Sequence, residues 1–489
     1  MTDRLHFRLL SVAAGVCLST LAILYVLAMH RERDRRVVPW EPDGITLAED
    51  AALTGELLGA VDARELDPSR PDIVVVLLGG VREDRISTEV MPNLLDFVTG
   101  ARSYDDARSV SSWPAPARAS VLTGLHPSEH GMHRGRTGLL TALEPDVPVL
   151  PEALQEAGYR TAAVVADTRF HHKKTGLDRG WDVLLDRDLE DGDPPLGYAR
   201  ADRVTAMAEQ VLSHWDDEPV FLLAEYLDGC TPWVPWDETT QDMFSILPST
   251  LHYPGEGRFA WRSLVSAVMQ DKRDLKAPEK KTWSLAYSAD LRQLDRELGE
   301  LFAVLDARSR PTWVFVVGSH GEALGEHDVV GHGWDLFAET VEVPWAIRGP
   351  GLESGIDDTP LQLTDLHDQV LAAAGLAAWP EVDPERMRVA ESHFAPSREL
   401  RLAVGKPYKR IKRSFVRGRH ELMLDSKRGV WAYFNGRQDK VVTGPWTEGL
   451  EADARAWIAT ASPDEAASDE ASSAEAASDE APPEVPKIP

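Results

Sequence analysis

Potential metal-binding or catalytic residues follow two stretches that are predicted to be buried strands. Asp228 follows the apolar run at 220–224, and Ser319 with His320 follows the run at 313–317. Ligands of an α/β sheet bind beyond the carboxyl ends of its strands, so these three side chains are predicted to lie at one edge. Aspartate supplies a hard oxygen ligand for a divalent cation, whereas serine and histidine are neutral near pH 7 and would not hold Ca²⁺ or Mg²⁺ tightly.

Further carboxylates lie in or near loops on the same side of the predicted sheet. Glu83, Asp84 and Glu322 could join Asp228 in a metal site built from hard oxygen ligands. Asp72 could not, because it begins the first strand and lies about 20 Å from that edge at roughly 3.3 Å per residue. The sequence leaves open whether such a site forms.

Alternating strand and helix patterns are predicted to position these residues. Residues 73–78 form a continuous apolar run, as in a strand buried on both faces. Residues 199–215 and 291–305 each place apolar side chains along one helical stripe, and each stripe precedes a strand candidate. Such alternation predicts an α/β domain with helices on both faces of a sheet.

Residues 113–124 read WPAPARASVLTG and resemble the sulfatase signature, in which a Cys, Ser or Thr nucleophile is followed by Pro, Arg and a run ending in Thr-Gly. Over about residues 70–440, further segments resemble that family in family order: PDIVVVLL from 71, MPNLLDFVTG from 91, LHPSEHG from 125, LPEALQEAGYRTAAVV from 150, GLDRGWD from 176, YSADLRQLDRELGELFAVL from 287, SHGEALGEH from 319, GHG from 331 and VPWAIRGPG from 343. The resemblance implies the alkaline phosphatase superfamily fold, a mixed sheet sandwiched by helices with a small C-terminal antiparallel subdomain.

The resemblance also implies where the catalytic groups belong, and Pro114 stands at the position of the nucleophile. Proline has no hydroxyl or thiol with which to attack a sulfate or phosphate ester. Arg118 and His332 remain at family positions of the catalytic site. Arg118 has two interpretations: it pairs with a buried carboxylate, or it keeps a contact with an anion.

The metal-binding positions that the resemblance implies carry no carboxylate. A sulfatase ends its first strand with an Asp-Asp or Asp-Thr pair, where this chain has Gly79 and Gly80. The later DHGE-like motif has Ser319 before His320, and the His of a DPH-like turn falls on Cys230. Without the cation, the charge of a bound sulfate is not offset and the pKa of an attacking group is not lowered.

These positions also have purely structural interpretations. Gly79-Gly80 is typical of a tight turn, in which glycine supplies a positive φ. Ser112 before Pro114 predicts a helix N-cap followed by an early-turn proline. His320 also fits a core histidine with satisfied hydrogen bonds.

Charge and cysteine content argue against nucleic-acid binding and against sites built from several cysteines. The formal net charge of −28 argues against a nucleic-acid-binding protein, because phosphate neutralisation needs clustered Lys and Arg. The chain has two cysteines, of which Cys17 lies in the N-terminal apolar stretch and Cys230 in the body. No disulfide is therefore expected within the α/β domain, and a zinc site made of two or four cysteines is excluded.

The N-terminal residues predict a membrane anchor. Residues 9–29 form an uncharged, mostly apolar stretch, long enough at about 1.5 Å per residue to cross a hydrocarbon core of about 30 Å. A count of the arginines on either side favours a cytoplasmic body, whereas the resemblance to exported sulfatases implies a body in the periplasm or outside the cell. We expect a single-pass membrane protein with the second arrangement.

Composition and resemblance divide the chain into five parts. They are the anchor at 1–36, a linker at 37–69, the sulfatase-like domain at 70–390 with an aromatic-rich insertion at about 229–283, a C-terminal subdomain at 391–460 and an acidic tail at 461–489. The tail repeats EAASDEA and has little apolar surface to bury, so it is predicted to be disordered. The basic run at 406–419 is predicted to face the acidic body or an anionic partner, or else to form a solvated strand face.

Together these features predict a membrane-anchored, sulfatase-like protein that is catalytically inactive and serves in binding or scaffolding. Its ligand is expected to be a protein partner or a weakly bound anion, and no metal or cofactor is expected, zinc included. An active sulfuric or phosphoric ester hydrolase with a relocated Ca²⁺ or Mg²⁺ site is the first alternative. A structural envelope protein is the second.

Overall fold

The computed structural model describes residues 54–133, 141–167, 175–185, 198–231, 233, 268, 274–393, 411–426, 429–435 and 444–461. The predicted anchor, the linker up to residue 53, most of the insertion between residues 232 and 273, and the tail from residue 462 lie outside the described residues. No helix in the described part of the chain is long and apolar enough to cross a membrane. The anchor therefore stays a prediction.

The described residues form sixteen strands, eight of them in one central sheet. In chain order the strands are β1 Asp72–Gly79, β2 Arg102–Tyr104, β3 Ala107–Arg108, β4 Arg160–Val165, β5 Val183–Leu185, β6 Val220–Tyr226, β7 Thr312–His320, β8 Ala323–Leu324, β9 Val330–Gly331, β10 Trp345–Arg348, β11 Gly355–Asp357, β12 Leu361–Gln362, β13 Arg388–His393, β14 Ile411–Arg417, β15 His420–Asp425 and β16 Gly429–Asn435.

The α-helices lie between these strands. In chain order they are α1 Pro92–Gly100, α2 Pro114–Thr123, α3 Pro127–His130, α4 Leu150–Glu156, α5 Ala201–His214, α6 Ala277–Ala307, α7 Ala338–Val341, α8 Asp365–Ala373 and α9 Trp446–Ala461.

Strand β1 lies in the middle of the central sheet, whose order is β11-β2-β10-β7-β1-β6-β4-β5. It pairs in parallel with β6 and β7, and β4 pairs in parallel with β6. The carboxyl ends of these four strands therefore meet at one edge. Because β7 pairs antiparallel with β10, the sheet is mixed, which confirms the predicted class of fold.

Alternate side chains of β1 face two separate cores. Val74 and Val76 belong to a core formed with α1, α5 and α6, whereas Ile73 and Val75 belong to a core formed with α2, α4 and α8. All eight residues of β1 are buried, which explains its continuous apolar run. Helices thus cover both faces of the sheet, as the sequence predicts.

A four-stranded antiparallel sheet, β13-β14-β15-β16, confirms the predicted C-terminal subdomain. Phe415 and Leu422 of this sheet share a core with Leu450 and Ile458 of α9. Strand β13 begins at Arg388, so the sheet uses residues on both sides of the boundary predicted at 391.

Two basic side chains in the described part of the basic run pair with carboxylates, whereas Arg419 is exposed. Lys412 on β14 pairs with Asp335 of the α/β domain. Arg413 Nε lies 2.8 Å from Glu391 Oε1 on the neighbouring strand β13. These ion pairs support the interpretation that the run faces the acidic body.

Candidate functional site

The signature helix α2 begins at Pro114, and Trp113 is its N-cap residue. Trp113 makes no side-chain cap hydrogen bond, and the hydroxyl of Ser112 is buried without a hydrogen-bond partner among the described residues. The predicted N-cap at Ser112 is therefore wrong, because the chain turns into the helix one residue later. Proline suits the first helical position, where its missing N–H would have no partner anyway. The buried Pro114 ring offers no nucleophile.

Arg118, in the second turn of α2, is held between two carboxylates. Its Nε donates to Glu225 Oε1 on β6, and its Nη2 lies 3.1 Å from Asp167 Oδ2 just after β4. The Arg118 side chain is 1% exposed. The buried guanidinium is thus fully engaged, and it offsets part of the charge of its two partners. Of the two interpretations of Arg118, the structure supports the pair with a buried carboxylate.

The turn after β1 packs backbone to backbone against the turn after β6. A Cβ atom at Gly80 would lie 2.4 Å from the carbonyl carbon of Gly229, and one at Gly79 would lie 2.4 Å from Leu227 Cδ2. Gly80 also has a φ of +74°, a left-handed conformation that favours glycine. The tight-turn interpretation therefore accounts for Gly80. Gly79 ends β1, and a Cβ atom there would meet the end of a leucine side chain that can move. An acidic pair would not fit here unless the facing turn moved.

Four potential metal ligands converge beside these glycines. Cys230 follows β6, His320 ends β7, Glu322 lies two residues further on, and His332 follows β9. Their ligand atoms all lie within 4.8 Å of one another. Within the described ranges this is the one group of three or more such side chains at that spacing. We call it the Cys-His-Glu-His cluster.

Short contacts orient the members of the cluster. Cys230 Sγ lies 3.5 Å from His320 Nε2, and His320 Nδ1 lies 2.9 Å from Ser319 Oγ. His332 Nδ1 lies 2.5 Å from Glu322 Oε2. The other oxygen, Glu322 Oε1, is buried without a hydrogen-bond partner among the described residues. Ser319 therefore acts as a support for His320 rather than as a ligand of its own.

Burial controls the protonation of two cluster members. Burial lowers the pKa of His320 well below its ordinary value, and the neighbouring His332 and Arg118 lower it further. Burial, reinforced by Glu322, raises the pKa of the Cys230 thiol well above its ordinary value. In the absence of a cation, His320 is therefore a neutral imidazole and Cys230 a neutral thiol near pH 7.

The other carboxylates considered as metal ligands lie outside the cluster. Asp228 Oδ1 accepts a hydrogen bond from the first backbone N–H of α5, and burial raises the pKa of Asp228 to about 7. Asp84 pairs with Arg82, and burial raises the pKa of Glu83 to about 7. Of these candidates, only Glu322 joins the cluster.

Every member of the cluster is a candidate residue in the sequence, but the sequence does not group the four. The resemblance implies a lost histidine at Cys230 and a metal-binding position at His320, and it places His332 with Arg118 in the catalytic site. Glu322 is predicted only as a possible hard ligand. A useful signal was the cysteine itself, since a thiol and an imidazole are both preferred ligands of softer metals. The predicted metal site is built from hard oxygen ligands and does not include that combination.

The mixed sheet, the signature helix and the C-terminal antiparallel sheet define the class of protein as an α/β protein of the alkaline phosphatase superfamily. Residues 71–376 match the model of the Sulfatase family, and the chain belongs to the sulfatase family. It is similar to the choline-sulfatase of Rhizobium meliloti (strain 1021), with 24% identity over 334 residues, which are 58% of this chain and 63% of that protein. The chain thus spans less than two thirds of the length of this curated relative.

Two solved structures share the fold. The phosphonate monoester hydrolase of Silicibacter pomeroyi has a TM-score of 0.60 and 18% identity, covering 80% of this chain and 94% of that chain. The phosphonate monoester hydrolase of Agrobacterium radiobacter has a TM-score of 0.57 and 16% identity, covering 82% of this chain and 96% of that chain. At these identities the likeness shows the fold alone.

Proposed function

We propose that this chain is a membrane-anchored member of the sulfatase family that does not hydrolyse sulfate esters and instead binds or scaffolds a protein partner. The observation that carries the proposal is Pro114 at the family position of the nucleophile, where it begins α2 as a buried ring without hydroxyl or thiol. Hydrolysis through a covalent intermediate needs an attacking group at that point.

Two contacts support the same conclusion. The turn at Gly80 packs so closely against Gly229 that a metal-binding carboxylate in its place would collide with the facing backbone. Arg118 is already engaged by Glu225 and Asp167, so its charge is balanced inside the protein. This balance argues against a weakly bound anion at Arg118.

A turnover assay on the full-length chain in detergent tests the proposal. An aryl sulfate, choline sulfate and a phosphonate monoester would be offered in turn with Ca²⁺, Mg²⁺, Mn²⁺ or Zn²⁺, with the choline-sulfatase of Rhizobium meliloti as the positive control. We expect no turnover above that of the heat-denatured chain. Metal-dependent turnover that Glu322→Gln abolishes would contradict the proposal.

The second candidate function is an active ester hydrolase with a relocated metal site. The Cys-His-Glu-His cluster favours it, because its ligand atoms lie within 4.8 Å of one another at the carboxyl edge of the sheet. We place it second because four protein ligands leave a tetrahedral ion no open position for an attacking water.

We also propose that residues 9–29 anchor the chain as a single-pass protein with its body outside the cytoplasm. Their uncharged, mostly apolar character supports the anchor, and the exported sulfatases that the chain resembles support the orientation. Deleting residues 1–36 should release the chain from sedimented membranes; if the shortened chain stays with the lipid, another surface anchors it. Protease added to intact cells or spheroplasts should degrade the body, and full protection would contradict the orientation.

A further inference from the structure

The Cys-His-Glu-His cluster combines the ligand types that zinc prefers: one thiol, two imidazoles and one carboxylate. Its members come from the turns after β6, β7 and β9, so the cluster joins three separate segments of the chain. His320 and Glu322 are 0% exposed, and Cys230 is 4% exposed. The group is therefore an interior arrangement and not a chance meeting of surface side chains.

The contact between Cys230 and His320 already has the spacing of two zinc ligands. Their Sγ and Nε2 atoms lie 3.5 Å apart. In a tetrahedral site with a Zn–S bond of about 2.3 Å and a Zn–N bond of about 2.0 Å, these two ligands are about 3.5 Å apart. His320 Nδ1 faces Ser319 Oγ at 2.9 Å, which leaves Nε2 for the metal. Histidine ligands of metals are commonly held in this way through their second ring nitrogen.

The contact between His332 and Glu322 must lengthen if both bind one ion. Their Nδ1 and Oε2 atoms lie 2.5 Å apart, so one side chain must shift by roughly 1 Å to reach ligand spacing. His332 can move because it lies between Gly331 and Gly333, and its side chain is 18% exposed. Glu322 Oε1, buried and without a hydrogen-bond partner in the described part of the chain, is a further oxygen that a cation would satisfy.

The charges of the cluster balance those of one zinc ion. A thiolate and a carboxylate together carry two negative charges, which Zn²⁺ neutralises, and neutrality matters because uncompensated charge is costly in a buried position. The protein would fill all four positions of a tetrahedral ion. This closed coordination is typical of structural zinc sites, whereas catalytic sites keep one position open.

We propose that the Cys-His-Glu-His cluster binds one Zn²⁺ ion in a closed site that ties together the turns after β6, β7 and β9. The proposal replaces the expectation from sequence that the chain carries no zinc, which considered carboxylate ligands and sites with two or more cysteines. It does not depend on the proposed function, because a structural zinc ion and an absence of ester hydrolysis are independent properties.

Metal analysis of the two single-cysteine variants tests the proposal. Full-length, tag-free chain in detergent would be analysed for zinc as the wild type, Cys230→Ser and Cys17→Ser. The chain has two cysteines, so Cys17→Ser is the matched control. We expect about one zinc ion per chain in the wild type and the control. Cys230→Ser should bind zinc at least about 100-fold more weakly, since even the loss of an outer-shell partner costs about 10–100-fold.

Cobalt replacement keeps the test decisive if a variant folds poorly. The wild type loaded with Co²⁺ should show thiolate-to-cobalt charge-transfer absorption, which Cys17→Ser keeps and Cys230→Ser loses. Ser319→Ala should keep the band and bind zinc about 10-fold more weakly, because His320 loses its orienting partner. Wild-type chain without stoichiometric zinc and without the cobalt band overturns the proposal. Zinc binding that Cys230→Ser leaves unchanged overturns it as well.

Discussion

Two buried aspartates at opposite edges of the central sheet differ in how their charge is compensated. Asp72, at the amino end of β1, accepts hydrogen bonds from Arg308 Nε at 2.8 Å and Arg310 Nε at 2.9 Å. Asp228, beyond the carboxyl end of β6, accepts a backbone N–H through Oδ1, and its Oδ2 is buried without a hydrogen-bond partner among the described residues. Burial raises the pKa of Asp228 to about 7.

The difference separates a structural edge of the sheet from a functional edge. At the amino edge, Arg308 and Arg310 both donate to the carboxylate of Asp72. The group links the start of β1, the start of β6 and the segment before β7. At the carboxyl edge, Asp228, Glu322 and Cys230 are buried with incomplete partners or shifted pKa values. Perturbed groups of this kind gather where proteins bind ligands. The edge that lost the family's catalytic groups has therefore kept an unusual concentration of polar side chains.

The largest effect should come from removing the charge of Asp72. Asp72→Asn leaves the Arg308 and Arg310 guanidinium groups without their buried carboxylate, and we expect the free energy of unfolding to fall by about 3–5 kcal/mol. Urea denaturation followed by tryptophan fluorescence measures this loss. The matched control is Asp216→Asn, since Asp216 also pairs with Arg308 but its side chain is 63% exposed. The control should lose about 0–1 kcal/mol, and equal losses in both variants would refute the assignment.

A second variant tests the close contact at the carboxyl edge. Gly80→Ala should lower the free energy of unfolding by about 2–5 kcal/mol, because a left-handed conformation costs alanine about 1–2 kcal/mol and the clash with Gly229 adds about 1–3 kcal/mol. The matched control is Gly131→Ala, at φ +73° with nothing within 4 Å of the added Cβ atom. The control should show only the conformational cost. A control variant as unstable as Gly80→Ala would show that the contact between the two turns contributes nothing.

The third prediction concerns Asp228, where removing the charge should raise the free energy of unfolding. The expected effect at Asp72 has the opposite sign. A folded-state pKa of about 7 lies above the ordinary value of 3.8, so Asp228 stabilises the fold at low pH and loses that contribution as pH rises through about 7. Asp228→Asn removes the free-energy cost of burying a charged carboxylate above that pH. Near pH 8.5 we expect the variant to exceed the wild type in stability by about 2 kcal/mol, half of the ceiling of about 4 kcal/mol that a shift of about three units allows.

Parallel urea titrations of wild type and Asp228→Asn, from about pH 5.5 to pH 8.5, check the third prediction. The stability difference between the two proteins should grow as pH rises to about 7 and level off above that value. A constant difference across this range would mean that Asp228 is ionised throughout and has a partner that balances its charge.

The smallest effect concerns the lost nucleophile. Pro114→Ser restores a hydroxyl at the family position, and we expect no measurable sulfate ester hydrolysis, because Gly79 and Gly80 still cannot supply the carboxylates that bind an activating cation. The measurement is aryl sulfate turnover with Ca²⁺ or Mg²⁺ added. Activity in the single variant would show that Pro114 alone separates this chain from an active enzyme, and that the cation site survives in another form.

The sequence predicted the strands and helices of the fold better than the residues at which they begin and end. The apolar runs at 73–78 and 220–224 lie within β1 and β6, where burial on both faces produces the unbroken pattern. Helix α6, by contrast, begins at Ala277, inside the insertion predicted at 229–283. Its first turns lack a clear apolar stripe, and a helix start without one is difficult to detect from periodicity.

The sequence by itself determined two features of this protein, because each depends only on residue type or on local pattern. The absence of a nucleophile at Pro114 and of carboxylates at Gly79 and Gly80 follows directly from residue type, because no fold can supply a missing functional group. The alternation of strands and helices follows from hydrophobic periodicity, which each segment carries on its own.

Only the tertiary structure decided which side chains meet. Cys230 and His320 are separated by 90 residues, and Arg118 and Glu225 by 107, so their contacts depend on strand order and register. Hydrophobic periodicity specifies which face of a strand is buried, but not which strand lies beside it. The sequence therefore left Arg118 with two interpretations and the Cys-His-Glu-His cluster unassembled, until the parallel pairing of β1 with β6 and β7 brought their carboxyl ends together.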